Sequence, residues 1–63
     1  LRRGAFGEAD FELQDLLVDH GFDVTIDGIF GSTVEFAVKM FQKQRKLVVD
    51  GIVGKKTWGA LRA

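Results

Sequence analysis

Asp23, Thr25 and Asp27 present three side-chain oxygens at alternate positions ahead of Gly28, which is how a helix–loop–helix calcium site begins. Such a loop closes on a bidentate glutamate at its twelfth position, and here that position is Val34. The related stretch around Asp50 lacks the leading oxygen ligands, so no calcium site is expected. Zinc fares no better, because the chain has no cysteine and only one histidine, His20. Nucleophilic and acid–base chemistry would need a cysteine, further histidines or paired carboxylates in a cleft, and none is evident. The sequence therefore predicts no catalytic residue, no metal and no cofactor. His20 reads as a packing residue beside a helix C-terminus, where it complements the dipole.

The remaining chemistry lies in a repeat. Asp27-Gly28-Ile29-Phe30-Gly31 recurs as Asp50-Gly51-Ile52-Val53-Gly54, and each copy runs into a helical stretch. Ala37-Val38 after the first copy aligns with Ala60-Leu61 after the second. Gly28 and Gly51 suit positive φ in tight turns, and the aspartate before each can accept N–H bonds within its turn. Read structurally, each unit is a rigid corner between a loop and a helix. Read functionally, each loop offers backbone amides beside a helix N-terminus, a setting that suits carboxylates or acetamido carbonyls. Ile29 and Phe30, like Ile52 and Val53, would then point alternately, one inward and one toward a groove.

Three helices must position these loops. Residues 8–20 place Ala9, Leu13, Leu16, Leu17 and His20 on one face, with Glu8 and Asp10 in the first turn and Gly21 as the stop. Ser32 to Glu35 matches a capping box opening a second helix that runs to about Arg45, with Val34, Ala37, Val38 and Phe41 inward. Residues 55–62 make a third, carrying Trp58 and Leu61, with Trp58 serving the core. Leu47-Val48-Val49 is expected to lay apolar side chains across the core. No segment demands a sheet, although the two Asp-Gly loops could pair briefly. The fold class is all-α, a small three-helix bundle with two Asp-Gly-x-x-Gly loops.

A chain of 63 residues holds one domain with one small core, and without cysteine that core rests on apolar packing. No apolar run approaches the roughly 20 residues of a membrane span. The chain begins at Leu1 and shows no signal peptide, which reads as residues 1–63 excised from a longer multidomain protein. Net charge is zero, which argues against nucleic acid as a partner. The charges are segregated, however: Gly4 to Glu35 carries eight acidic residues and no basic one, whereas Phe36 to Ala63 carries seven basic residues against Asp50. The basic half reads either as a solvated face or as one favouring an anionic polymer. Phe11 and Val18 lie opposite the leucine stripe of the first helix, and Phe36, with Met40 beside it, lies opposite the inward face of the second. These four form a candidate interface.

In order and spacing, the chain resembles the peptidoglycan-binding domains found beside the catalytic domains of cell-wall hydrolases. The resemblance rests on Leu13-Gln14, Gly21-Phe22, Asp27-Gly28-Ile29-Phe30-Gly31, Ala37-Val38-Lys39-Met40-Phe41-Gln42, Leu47 to Gly54, and Thr57-Trp58-Gly59-Ala60-Leu61. It departs from the family pattern at Asp10, usually apolar; at Val34, where a threonine usually opens the helix; at Lys46, commonly glycine; and at Phe36 and Met40, usually small or polar. The resemblance implies a three-helix bundle. It also implies a non-catalytic, monomeric module that targets a linked hydrolase to peptidoglycan, through glycan, stem peptide or both. Its setting would be the extracellular face or wall of a bacterium, or a phage-encoded enzyme acting on that wall. The implied ligand-binding residues are Asp27, Gly28, Ile29, Phe30, Asp50, Gly51, Ile52 and Val53, with Gln42 in support. Gln14 is expected to hold the structure. Gln42 could either hold a loop carbonyl or meet the ligand.

Two other readings stand beside it. A protein-docking bundle would contact its own catalytic domain through Phe11, Val18, Phe36 and Met40. A helix-turn-helix DNA reader is disfavoured by the neutral charge and the glycine-rich corners.

Overall fold

The computed structural model describes residues 1–63, and its three helices fall where the apolar spacing puts them. They are α1 (Glu8–Asp19), α2 (Ser32–Gln44) and α3 (Lys55–Arg62). The core gathers Leu13 and Leu17 from α1, Val34, Ala37, Val38 and Phe41 from α2, and Leu61 from α3. Val24, Phe30 and Val53 enter it from the connections. The inward face of α1 is rotated by one residue from expectation. Ala9 is exposed, and Asp10 is buried in line with Leu13, Gln14 and Leu17.

Helices α1 and α2 end in the same way. After α1, Gly21 N–H donates to Val18 O at 2.9 Å and Phe22 N–H to Leu17 O at 2.9 Å, with Gly21 at φ 92°. After α2, Lys46 N–H donates to Lys43 O at 3.2 Å and Leu47 N–H to Gln42 O at 2.8 Å. This double-bonded stop places one residue in the left-handed region, and at α2 that residue is Lys46, at φ 59°. A side chain there costs about 1–2 kcal/mol.

The helix starts differ from the sequence reading. Gly31 and Gly54 occupy the N-cap positions of α2 and α3 in extended conformation, and neither helix has a side-chain cap. Ser32 is already inside the first turn, so the Ser32–Glu35 capping box does not form.

The two Asp-Gly loops do not pair with each other either. Both are tied instead to the segment before α1. Phe6 and Ile29 face one another in a single antiparallel bridge, flanked by Phe30 N–H to Ala5 O at 2.8 Å and Gly7 N–H to Gly28 O at 3.0 Å. Val53 N–H donates to Leu1 O at 2.6 Å, which binds the second loop to the same segment.

Leu47 is only half-buried, and Val48 is 78% exposed, so this segment does not cross the core. Both of its ends are tethered to Gln42: Leu47 N–H to the carbonyl and Asp50 to the side-chain amide. The segment therefore arches over that glutamine and leaves its valines outside.

His20, the C-cap of α1, fixes the three helices at one end. Its Nε2 lies 2.9 Å from Leu61 O and its Nδ1 3.4 Å from Arg45 Nη2. A guanidinium can only donate, so Nδ1 accepts and Nε2–H donates to the carbonyl. The ring also packs on Phe41 with centroids 5.0 Å apart, which is the packing role expected of it. At α3, Trp58 is half-buried against the core, and Arg62 lies 4.5 Å over its ring.

Candidate functional site

Each Asp-Gly loop is built around one buried glutamine from the preceding helix. Gln14 Oε1 accepts from Asp27 N–H at 3.0 Å and Gly28 N–H at 2.8 Å. Its Nε2 donates to Asp27 Oδ1 at 2.8 Å and Ile29 O at 3.0 Å. Gln42 repeats the set: Oε1 accepts from Asp50 and Gly51 N–H at 3.2 and 3.1 Å, and Nε2 donates to Asp50 Oδ1 and Ile52 O at 3.1 and 3.0 Å. A side-chain amide has two donors and two acceptor lone pairs, and each loop uses all four. In both loops the aspartate also accepts from the residue two ahead, Ile29 N–H at 3.0 Å and Ile52 N–H at 2.9 Å.

The aspartates are therefore held ionised. Asp27 lies below the usual carboxylate range, chiefly through its bond from Gln14 and then that from Ile29 N–H. Asp50 is lowered chiefly by Ile52 N–H, with Gln42 assisting. The glycines are equally constrained. Gly28 at φ 76° lies under Phe11, and a Cβ there would stand 2.7 Å from Phe11 Cζ. Gly51 at φ 72° lies under Lys39 and Glu35, with a Cβ 3.0 Å from Lys39 Cε. Phe11 on α1 and Lys39 on α2 thus play the same covering part.

Two open grooves flank the clamps. The first, about 240 Å³, runs between the first loop and the start of α2, past Thr25, Asp27, Ile29, Ser32 and Thr33. The second, about 290 Å³, holds the matching place before α3, past Val48, Asp50, Ile52, Lys55 and Lys56.

The residues singled out in the sequence divide by burial. Asp27, Ile29, Asp50 and Ile52 are exposed at the grooves, whereas Phe30 and Val53 are core residues and Gly28 and Gly51 are covered. Gln42 is 1% exposed and its amide is fully committed, one N–H being shared with Thr57 Oγ1 at 3.2 Å, so it positions the loop and offers no free amide to a ligand. Gln14 holds the structure as expected. Phe11, Val18, Phe36 and Met40 are all exposed, but Phe11 is occupied in roofing Gly28. Lys55, Lys56, Ser32 and Thr33 line the grooves, and none is singled out as a binding residue by the sequence. Their signal was their matching placement just after each Asp-Gly-x-x-Gly repeat. No cluster of metal-ligating side chains is present.

Comparison with known proteins gives the family and the fold. Residues 7–61 match the family described as "Putative peptidoglycan binding domain". A spore cortex-lytic enzyme of Bacillus cereus is 43% identical over 58 residues, covering 90% of this chain and 22% of its own length. The crystal structure of the SleB N-terminal domain superposes with a TM-score of 0.95 at 41% identity, covering 98% of this chain and 86% of that one. The Burkholderia AP3 phage endolysin gives 0.98 at 44% identity, with 100% of this chain matching 24% of the endolysin. The chain thus spans about a fifth of the length of the curated relative it matches. Three helices, two glutamine-clamped loops and a family match over nearly the whole chain lead to one assignment: this chain belongs to the peptidoglycan binding domain family.

Proposed function

We propose that residues 1–63 form the wall-targeting module of a longer cell-wall hydrolase, holding that enzyme on peptidoglycan and supplying no catalytic group. The observation that carries the reading is the pair of equivalent grooves beside clamped loops, in a chain belonging to the peptidoglycan-binding family. Ile29 and Ile52 supply apolar contact for the polymer, one in each groove, while the groove rims supply polar contact. Each groove reads a small part of the wall, so each contact is weak. Retention then comes from effective concentration on a repeating polymer. The enzyme carrying the module acts at the wall, from outside the bacterium or from a phage. No helix here is long and apolar enough to cross a membrane.

The test is a pull-down of the 63-residue chain with insoluble, teichoic-acid-free sacculi, beside an Ile29→Ser/Ile52→Ser variant checked for native circular dichroism. Retention of the wild type and loss of the variant supports the reading. A folded wild type left in the supernatant overturns it.

A second reading is favoured by one observation: Phe36 is 67% exposed, one turn from exposed Met40 on the outer side of α2. That pair would dock the module on its own catalytic domain. Phe36→Ser in the full-length enzyme should then free the module from that domain and leave sacculus retention unchanged.

A further inference from the structure

The two grooves share a scaffold and differ in chemistry. Asp27, Ile29 and Gly31 in the first correspond to Asp50, Ile52 and Gly54 in the second. Where the first groove has Ser32 and Thr33, the second has Lys55 and Lys56, and where the first has Thr25 the second has Val48. The first groove therefore carries one carboxylate and no cation. The second sets two ammonium groups against one carboxylate, and that carboxylate already accepts bonds from Gln42 and Ile52 N–H. An anionic ligand is repelled by the first groove and attracted by the second.

We propose that the second groove is the stem-peptide subsite, taking a free carboxylate of the wall peptide on Lys55 and Lys56 with its aliphatic side chain on Val48, Leu47 and Ile52. The first groove, hydroxyl-lined, is left for the neutral N-acetylated glycan. The assignment rests on the peptidoglycan-targeting reading above and adds which part of the polymer each groove takes. The apolar wall argues for a peptide over the other anionic wall polymers, the polyol phosphates. Alanine methyls and diamino-acid methylenes fill such a wall, whereas a hydrated polyol phosphate leaves it wet.

The experiment is an NMR titration of the ¹⁵N-labelled chain with three soluble probes. They are a disaccharide–tetrapeptide fragment with free carboxylates, the same fragment with its carboxylates amidated, and a peptide-free N-acetylated glycan oligomer. The free-carboxylate fragment should shift the amides of Ile52, Lys55, Lys56 and Thr57. Amidation, or Lys55→Gln/Lys56→Gln, should weaken that binding by about tenfold or more, since charge-assisted hydrogen bonds are being removed. Lys55→Arg/Lys56→Arg should retain it. The peptide-free glycan should shift Ile29, Ser32 and Thr33 instead. The double Gln variant removes positive charge from a helix N-terminus, which favours the helix, so the fold survives.

Equal affinity for the amidated fragment, or shifts confined to the first groove, overturns the subsite while sacculus retention still supports targeting. A glycerol-phosphate oligomer that outcompetes the fragment at Lys55 and Lys56 overturns the peptide assignment. Loss of sacculus retention by the wild type overturns the targeting reading and the subsite with it.

Discussion

Asp10 is the residue whose replacement should improve this protein most. Its side chain is 1% exposed, and neither carboxylate oxygen has a hydrogen-bond partner. In the helix–loop repeat Gln14 matches Gln42, so Asp10 falls on the position of Val38, a core residue. Leucine has nearly the shape of aspartate, with two methyls where the oxygens stand. An unsatisfied buried polar group costs about 1–3 kcal/mol, and more when it is charged. Against that, a first-turn carboxylate gains about 0.3–1 kcal/mol from the helix dipole. Asp10→Leu should therefore stabilise by about 2 kcal/mol at neutral pH, raising Tm by about 8–16 °C in a domain this small.

Burial also pushes the Asp10 pKa above 3.8, so the folded state holds that proton more tightly than the unfolded state. Wild-type stability should accordingly fall as pH rises through the window between 3.8 and the raised value, then level off. Asp27 and Asp50 act in the opposite sense: their contribution is present above 3.8 and is lost as pH falls through their lowered values. They are common to both proteins and cancel in the difference. Chemical denaturation followed by circular dichroism from pH 3 to 7 should show the advantage of the Asp10→Leu protein widening as pH rises. Asp10→Asn, which keeps two unpartnered polar atoms, should remove that pH dependence and recover only part of the stability. An Asp10→Leu protein no more stable than wild type at pH 7, or a gap that does not change with pH, would refute a carboxylate buried without partners.

Lys46→Gly should stabilise by about 1 kcal/mol by relieving the left-handed side chain that ends α2, read as a denaturation midpoint. Gly28→Ala should destabilise by about 2 kcal/mol or more, on the order expected for overpacking added to a positive-φ penalty. Adding Phe11→Ala should recover the overpacking part only, which a double-mutant cycle measures. Ser32→Ala should change stability by less than about 0.5 kcal/mol, because no serine hydroxyl caps α2. A loss near about 1 kcal/mol would restore the capping box.

The helices were legible because apolar spacing is a direct record of burial. Val34, Ala37, Val38 and Phe41 follow the helical period and all four reach the core. The Asp-Gly turns were legible because glycine after aspartate has few other uses. Periodicity alone does not show how deeply polar groups go inside. A periodicity argument sends glutamine to the surface, yet Gln14 and Gln42 are as buried as the leucines. The clue was an apolar–glutamine pair, Leu13-Gln14 and Phe41-Gln42, standing ahead of each Asp-Gly. It was obscured by unequal spacing, since 13 residues separate Gln14 from Asp27 and only 8 separate Gln42 from Asp50. Asp10 follows suit: the helical period puts Ala9 on the inward face, and the buried residue is Asp10. The exposed Val48 and Val49 err the other way, as apolar residues whose tethers hold them outside.

Burying two glutamines makes sense once the loops are asked to grip something weakly. A wall contact in the millimolar to micromolar range is worth about 4–8 kcal/mol. Ordering a free loop costs about 1–2 kcal/mol per residue, so a disordered Asp27–Gly31 would consume most of such a contact. The four bonds to each glutamine settle that ordering during folding, and weak contacts are then left to binding alone. The scheme is not symmetric. Gln42 also reaches Thr57 Oγ1 in the first turn of α3, whereas the matching residue in the first unit is Val34, which has no such oxygen. The second groove is thereby fastened to the helix that bears Lys55 and Lys56. A ligand held by charge-assisted hydrogen bonds benefits from such fastening, because those bonds need donor and acceptor at a set distance and angle. The better-tied groove is also the basic one.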